Sequence, residues 1–307
     1  MHTDHYFDSC GEGRIHYSCW VPEGKPKAIV QILHGIAEYG LRYNAFAEYL
    51  NGLGYLVVAE DHMGHGASVS EDTTRGYFAG GWSAAVADSH RLTALMKEAY
   101  PDVPYILFGH SMGSFMTRTI LSKYSDDELA GAVICGTGWI NPLLVRTGLF
   151  LAKVICAVRD DRKPSGMLQV LAFSGSNKRI KNPRTPFDWL NRDPACVDAY
   201  VADEQCGFLV AAGLLRDMFS GIVYIQKRRN IAAMNKDTPI FLIAGGDDPV
   251  GAYGKGVEKT ARAFRKSGVK SVELKLYPEG RHEILNELNH MEVWQDVANW
   301  LDKTLVK

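Results

Sequence analysis

Unbroken apolar runs recur at 27–33, 55–59, 104–108, 130–135 and 239–244, each rich in Val and Ile and closing near Gly, His or Asp. A strand with one wet face alternates apolar and polar residues. An unbroken run needs cover on both faces, as in a parallel sheet packed between helices. Between the runs, apolar positions recur at helical spacing over about 43–53, 83–99, 114–124, 253–267 and 291–305. Strand alternating with helix predicts an α/β fold: a mostly parallel sheet, right-handed crossovers and helices on both faces.

The rhythm breaks between 137 and 235. No strand pattern occurs there, helical patterns lie near 143–158, 194–202 and 207–220, and Asn182-Pro-Arg-Thr-Pro186 is a turn-rich interruption. Strand-like runs resume at 239 and 272. The pattern therefore predicts a core of 1–136 and 236–307, with a helical cap, 137–235, inserted between two sheet strands. Such a cap would lie over the carboxyl edge of the sheet, where open α/β sheets bind ligands. Within it, Leu143 to Val158 is apolar around most of its circumference, and Arg146 and Lys153 share one stripe. Core packing of a cap helix explains that pattern. The other reading is a surface that lines an acyl tunnel or touches a lipid interface.

Composition narrows the class. The chain has 307 residues, 46% hydrophobic and 22% charged, with a net charge of −1. No global field recruits nucleic acid. The charge is uneven: 137–235 holds 14 Lys and Arg against 8 Asp and Glu, a net of +6, and the remaining 20 against 27 give −7. A basic insertion thus sits on an acidic base. The six cysteines form no C-x-x-C pair, and several lie in apolar runs, which suits reduced core thiols of a cytoplasmic protein. The amino terminus lacks the basic and apolar regions of a signal peptide, and no run of 18 apolar residues is present to span a membrane.

The chemistry centres on Gly109-His110-Ser111-Met112-Gly113, between the strand pattern 104–108 and the helical run 114–124. A serine hydroxyl aimed out of a sheet needs a sharp turn, and glycine at both ends removes the Cβ atoms that would clash. A bare G-x-S-x-G arises by chance in roughly one chain in ten of this length. The strand–turn–helix context is what makes this one specific. Ser111 is the candidate nucleophile, with the amino terminus of the following helix facing developing negative charge.

An elbow of this kind draws its oxyanion donors from the residue after the nucleophile and from the loop after an early strand. That selects the backbone N–H groups of Met112 and of Ile36, in His34-Gly-Ile-Ala-Glu38. A second segment, Asp61-His-Met-Gly-His-Gly-Ala-Ser68, carries histidines and carboxylates but fits no zinc spacing, so it reads as a structural loop with no metal. No cofactor is expected either. The triad order is Ser, acid, His. His282 lies between the run 272–277 and the last helix, while His290 sits at or near the start of that helix. His282 is therefore the candidate base. The acid follows the strand 239–244, where Asp247 and Asp248 both qualify.

Taken together, the segments His34–Glu38 with Arg42-Tyr43, Asp61–Ser68, Gly109–Gly113, Gly245-Gly-Asp-Asp-Pro-Val250, Gly280-Arg-His282, Phe187–Asp193 and Cys206-Gly-Phe208 resemble the monoacylglycerol lipase and lysophospholipase-like branch of the serine α/β-hydrolases. The resemblance covers nearly the whole chain. It implies the α/β-hydrolase fold with a mobile cap, and it favours Asp248, the aspartate just before Pro249-Val250, as the acid. The chain departs from the family at Tyr39 and Gly40, where His and Ser are common.

The function expected is hydrolysis of small-molecule acyl esters of lipid type through an acyl-enzyme on Ser111, with transient contact between the cap and lipid and no nucleic-acid partner. An aminopeptidase or amidase would share the triad but would want acidic cap residues for a substrate amine, whereas this cap is basic. A non-catalytic receptor on the same fold has no need of an intact Ser111, His282 and Asp248. Haloalkane dehalogenases and epoxide hydrolases carry Asp where this chain has Ser111.

Overall fold

The computed structural model describes residues 2–306, and among these eight strands form one sheet in the order β1-β2-β4-β3-β5-β6-β7-β8. The strands are β1 His2–Asp8, β2 Arg14–Trp20, β3 Ile29–Leu33, β4 Leu56–Glu60, β5 Tyr105–His110, β6 Gly131–Cys135, β7 Ile240–Gly245 and β8 Val272–Tyr277. From β4 to β8 all neighbours are parallel. β1 and β2 are antiparallel to their neighbours. The helices are α1 Asn44–Gly52, α2 Gly81–Ala99, α3 Met112–Lys123, α4 Pro142–Val158, α5 Gly166–Phe173, α6 Pro194–Ala202, α7 Ala212–Ile225, α8 Arg228–Ala233, α9 Lys255–Lys266 and α10 His290–Leu305. This is the α/β-hydrolase architecture.

The unbroken apolar runs are explained by cover on both faces. Ile32, Val57, Phe108, Val133 and Ile243 pack on one side with Phe46 and Leu50 of α1 and Val297 and Leu301 of α10. Ile29, Val58, Leu107, Ile134 and Leu242 pack on the other with residues of α2, α3 and α9. Successive strand residues point to opposite faces, so both sets must be apolar. The helices on the two sides enclose the sheet.

The segment between β6 and β7 runs through α4 to α8. α7 packs into the same core as α2 and α3, with the Trp82 ring against Gly221, where even a Cβ would overlap it. A smaller cluster of Trp189, Leu190, Tyr200 and Cys206 forms beside it. α4 behaves differently from a core helix. Only Val145, Gly148 and Ala152 are buried, while Leu143, Leu144, Phe150, Val154 and Val158 are exposed at 76%, 57%, 65%, 45% and 74%. Core packing therefore does not account for its apolar circumference.

Several elements depart from the sequence pattern, the short α8 among them. The hairpin β1–β2 is invisible in it because β1, HTDHYFD, is a mostly exposed edge strand with one buried side chain, Phe7. α5, GMLQVLAF, has almost no polar position and hence no period. α7 starts at Ala212 rather than 207, because 207–211 is pinned as a loop: Gly207 N–H donates to Ala37 O at 2.9 Å and Ala211 N–H to Gly76 O at 2.9 Å. No described helix is long and apolar enough to cross a membrane. All six cysteines are free.

Candidate active site

β5 delivers His110 at the carboxyl edge of the sheet, and Ser111 follows with φ 52° and ψ −118° before α3 begins. A non-glycine residue in this region costs on the order of 1–3 kcal/mol and persists only where its surroundings fix it. Here Ser111 N–H donates to Cys135 O at 3.0 Å, tying the turn to β6. Both glycines are required. A Cβ on Gly109 would overlap Thr117 Oγ1 and the Gly113 carbonyl, and one on Gly113 would overlap the carbonyls of Leu33 and His34. Close approach of α3 to β3 thus fixes the turn.

The loop after β3 sits against this turn. A Cβ added to Gly35 would lie 3.2 Å from the Ser111 Cβ. Ile36 lines the same cavity as Ser111, and Met112 opens α3, whose first N–H groups have no intrahelical acceptor. Ala37 is held at φ 53°. Its carbonyl accepts from Gly207 N–H and from the Tyr200 hydroxyl at 3.2 Å.

Asp248 follows β7 and His282 follows β8. Asp248 Oδ2 accepts from His282 Nδ1 at 3.0 Å, and its Oδ1 accepts from Val250 N–H at 2.8 Å. A carboxylate at Nδ1 selects the tautomer with Nε2 unprotonated, the form a base needs. The His282 ring lies 4.9 Å from the Trp189 ring and 4.8 Å from that of His110, and His282 lines the cavity together with Ser111. The other candidates go elsewhere. Asp247 is exposed. His290 bonds the Glu287 carbonyl from α10 and packs on Trp294.

The histidine-rich segment is spent on the scaffold. His62 joins Glu60 Oε1 at 2.9 Å to the His34 carbonyl at 3.0 Å, and His62 N–H donates to His34 Nε2 at 2.9 Å. Asp61 accepts from the N–H groups of Gly40 and Ala67 at 2.7 and 2.8 Å. Burial holds His34 well below the ordinary histidine range and His65 at about 4. This segment braces the loop that carries Ile36.

The family model described as serine aminopeptidase, S33 matches residues 24–289. The chain belongs to that family. Among its relatives is the monoacylglycerol lipase of Mycolicibacterium smegmatis, 27% identical over 97% of this chain and 96% of that one. The monoglyceride lipase of Mus musculus is 28% identical over 88% and 84%. A thermostable carboxyl esterase from Bacillus coagulans, solved with glycerol, superposes with a TM-score of 0.93 at 28% identity, covering 99% of both chains. Within the family this chain is a carboxylic ester hydrolase.

The cavity over Ser111 has a volume of about 390 Å³. Phe173 of α5, Phe187, Trp189, Leu190 and Phe208 give it an apolar wall, with Gln169, Ser174 and Asn177 as polar breaks. The Gln169 carboxamide oxygen is buried without a hydrogen-bond partner. Val170 and Leu209 line the cavity and are also 62% and 56% exposed, so its mouth continues onto outer apolar surface.

Sequence reasoning assigned no role to the groups behind the site. Glu38, Arg42, Tyr43, His110 and Glu283 form one buried hydrogen-bonded cluster. Burial opposes the Glu38 charge, but the His110 hydrogen bond and the charge of Arg42 outweigh it and hold the carboxyl well below its usual range. Burial likewise opposes protonation of His110, and Glu38 reverses that, raising it. In the sequence, Glu38 with Arg42-Tyr43 stood out only through the family resemblance, and His110 and Glu283 only as neighbours of Ser111 and His282; their side-chain directions carry no periodic signature.

Proposed function

We propose that the chain hydrolyses single-chain acyl esters of lipid type, monoacylglycerols or lysophospholipid-like esters, through an acyl-enzyme on Ser111. Ser111 Oγ attacks the acyl carbonyl while His282 Nε2 takes its proton. Asp248 holds the ring and stabilises the imidazolium that forms. The N–H groups of Ile36 and Met112 receive the oxyanion. His282 then returns the proton to the departing alcohol, and water, activated by the same ring, releases the acid. Helices α4 to α8, within 137–235, serve as the cap. The observation that carries the reading is the apolar cavity over Ser111 and His282, whose mouth runs onto exposed Val170 and Leu209.

The unpartnered Gln169 oxygen in that apolar wall supports a substrate that carries hydroxyl groups, since a buried acceptor calls for a donor. The outward face of α4, with Arg146 and Lys153 beside it, supports contact with a lipid surface. The aminopeptidase activity in the family's description fits less well. It needs a free carboxylate for the substrate amine, and the cavity's carboxylates, Glu38 and Glu283, both bind Arg42.

The test is a substrate panel: p-nitrophenyl esters of rising chain length, monoacylglycerols, lysophospholipids and aminoacyl amides. Each buried methylene contributes about 0.8 kcal/mol. kcat/KM should therefore climb by up to about fourfold per CH₂ from acetyl to at least octanoyl. A flat series, or a preference for aminoacyl amides, overturns the lipid-ester reading and leaves the serine chemistry standing.

A further inference from the structure

Behind the cavity, one buried cation joins the loops that the proposed chemistry needs. Glu38 lies in the loop after β3. Its Oε1 accepts from Gly35 N–H at 2.5 Å and from the Tyr43 hydroxyl at 2.9 Å, with His110 Nδ1 at 3.3 Å. Its Oε2 accepts from Arg42 Nη1 at 2.5 Å. The same guanidinium reaches across to Glu283, with Nη1 to Oε1 at 2.7 Å and Nη2 to Oε2 at 2.9 Å. Glu283 follows His282 directly, and His110 Nε2 closes the circuit 3.2 Å from the His282 carbonyl.

Arg42 is 13% exposed in its side chain, Glu38 4% and Glu283 5%. The Tyr200 ring covers the guanidinium at 4.8 Å. A buried ion pair is weak evidence for stability, because desolvation offsets the attraction and apolar replacements of similar volume often do as well. What a bidentate fork supplies is geometry, with two parallel bonds fixing both distance and angle. Lysine, a point charge on a flexible stem, cannot supply it. The two carboxylates clamped here belong to the loop presenting Ile36 and to the loop presenting His282.

We propose that Arg42 is a positioning residue for the ester hydrolysis: its clamp on Glu38 and Glu283 sets the spacing between the oxyanion loop and the loop that carries the base. The proposal rests on the roles given above to Ser111, His282 and Ile36. A displacement of about 1 Å in such a site can lower the rate by roughly 100-fold. The loss falls on kcat, because Arg42 itself does not line the cavity and the apolar wall of Phe173, Phe187, Trp189, Leu190 and Phe208 is left unchanged.

Arg42→Lys keeps the charge and removes the fork. Its kcat per active site, with Ser111 counted by fluorophosphonate labelling run to completion, should fall by roughly 10- to 100-fold while KM stays within about threefold. Adding Glu283→Gln should cost little more, because residues that act as one unit are not additive. A kcat per labelled serine within twofold of wild type overturns the proposal, whatever happens to Tm, and so do additive losses. If Arg42→Lys does not fold, Glu283→Gln, which leaves Arg42 paired with Glu38, is read by the same criteria. Full labelling of a Ser111→Ala enzyme would instead overturn the nucleophile assignment, so the two failures are distinguishable.

Discussion

Asp248 Oδ2 stands 3.0 Å from His282 Nδ1, and the two side chains are 0% and 3% exposed, although 34 residues separate them in sequence. β7 and β8 are parallel neighbours, with Gly245 opposite Tyr277. The loops that follow them therefore emerge side by side. Asp247, one residue earlier, points to solvent. Asp248→Asn should lower kcat by about 10⁴-fold, because an amide at Nδ1 favours the wrong tautomer. Asp247→Asn should change it little. Steady-state kinetics on one p-nitrophenyl ester compares them, and a larger loss for Asp247→Asn reverses the assignment.

Ser111→Ala should keep the fold and lose roughly 10⁶-fold in kcat. Removing a hydroxyl from a position at φ 52° takes away no packing that the turn depends on, since Gly109, Gly113 and the bond to Cys135 O hold it. Fluorophosphonate labelling followed by peptide mapping should find Ser111 in the wild type and no serine in the variant. Turnover near wild type, or a label elsewhere, sinks the nucleophile.

His65 provides a pH test of the scaffold. Burial holds it at about 4 in the fold, against an ordinary 6.5, and its Nε2 has no partner. Between those values the unfolded chain binds the proton and the folded chain does not. Stability from this group is complete above about pH 6.5 and is lost as pH falls towards 4, by about 3 kcal/mol in all. Urea unfolding at pH 7 and pH 4.5 should show a smaller acid loss in His65→Asn than in wild type. Equal losses would mean that His65 is already charged in the fold.

The outer face of α4 predicts interfacial behaviour. Phe150 and Val158 are 65% and 74% exposed and do not line the cavity. The double change Phe150→Glu, Val158→Glu should weaken binding to anionic lipid vesicles by tenfold or more and slow hydrolysis of a vesicle-borne monoacylglycerol. Turnover of dissolved p-nitrophenyl butyrate should be untouched. Unchanged vesicle binding in a flotation assay removes the lipid-surface role from this helix.

The sequence by itself determined the sheet's buried strands, the alternation with helices and the place of Ser111 in a strand–turn–helix. These are local properties: unbroken apolar runs report cover on both faces, and Gly109 and Gly113 report a turn too tight for a Cβ. Strand order, and hence the meeting of Asp248 with His282, was decided by sheet pairing across the chain. So was the polar edge strand β1, whose single buried side chain leaves no pattern. The face α4 turns to solvent was likewise settled only in three dimensions, because a helix apolar all round does not say which stripe packs on α7. The Arg42 clamp was the least legible feature. Its partners stand 4 residues before it and 241 after it, and a buried charge is stable only where the fold brings its counter-charges to it.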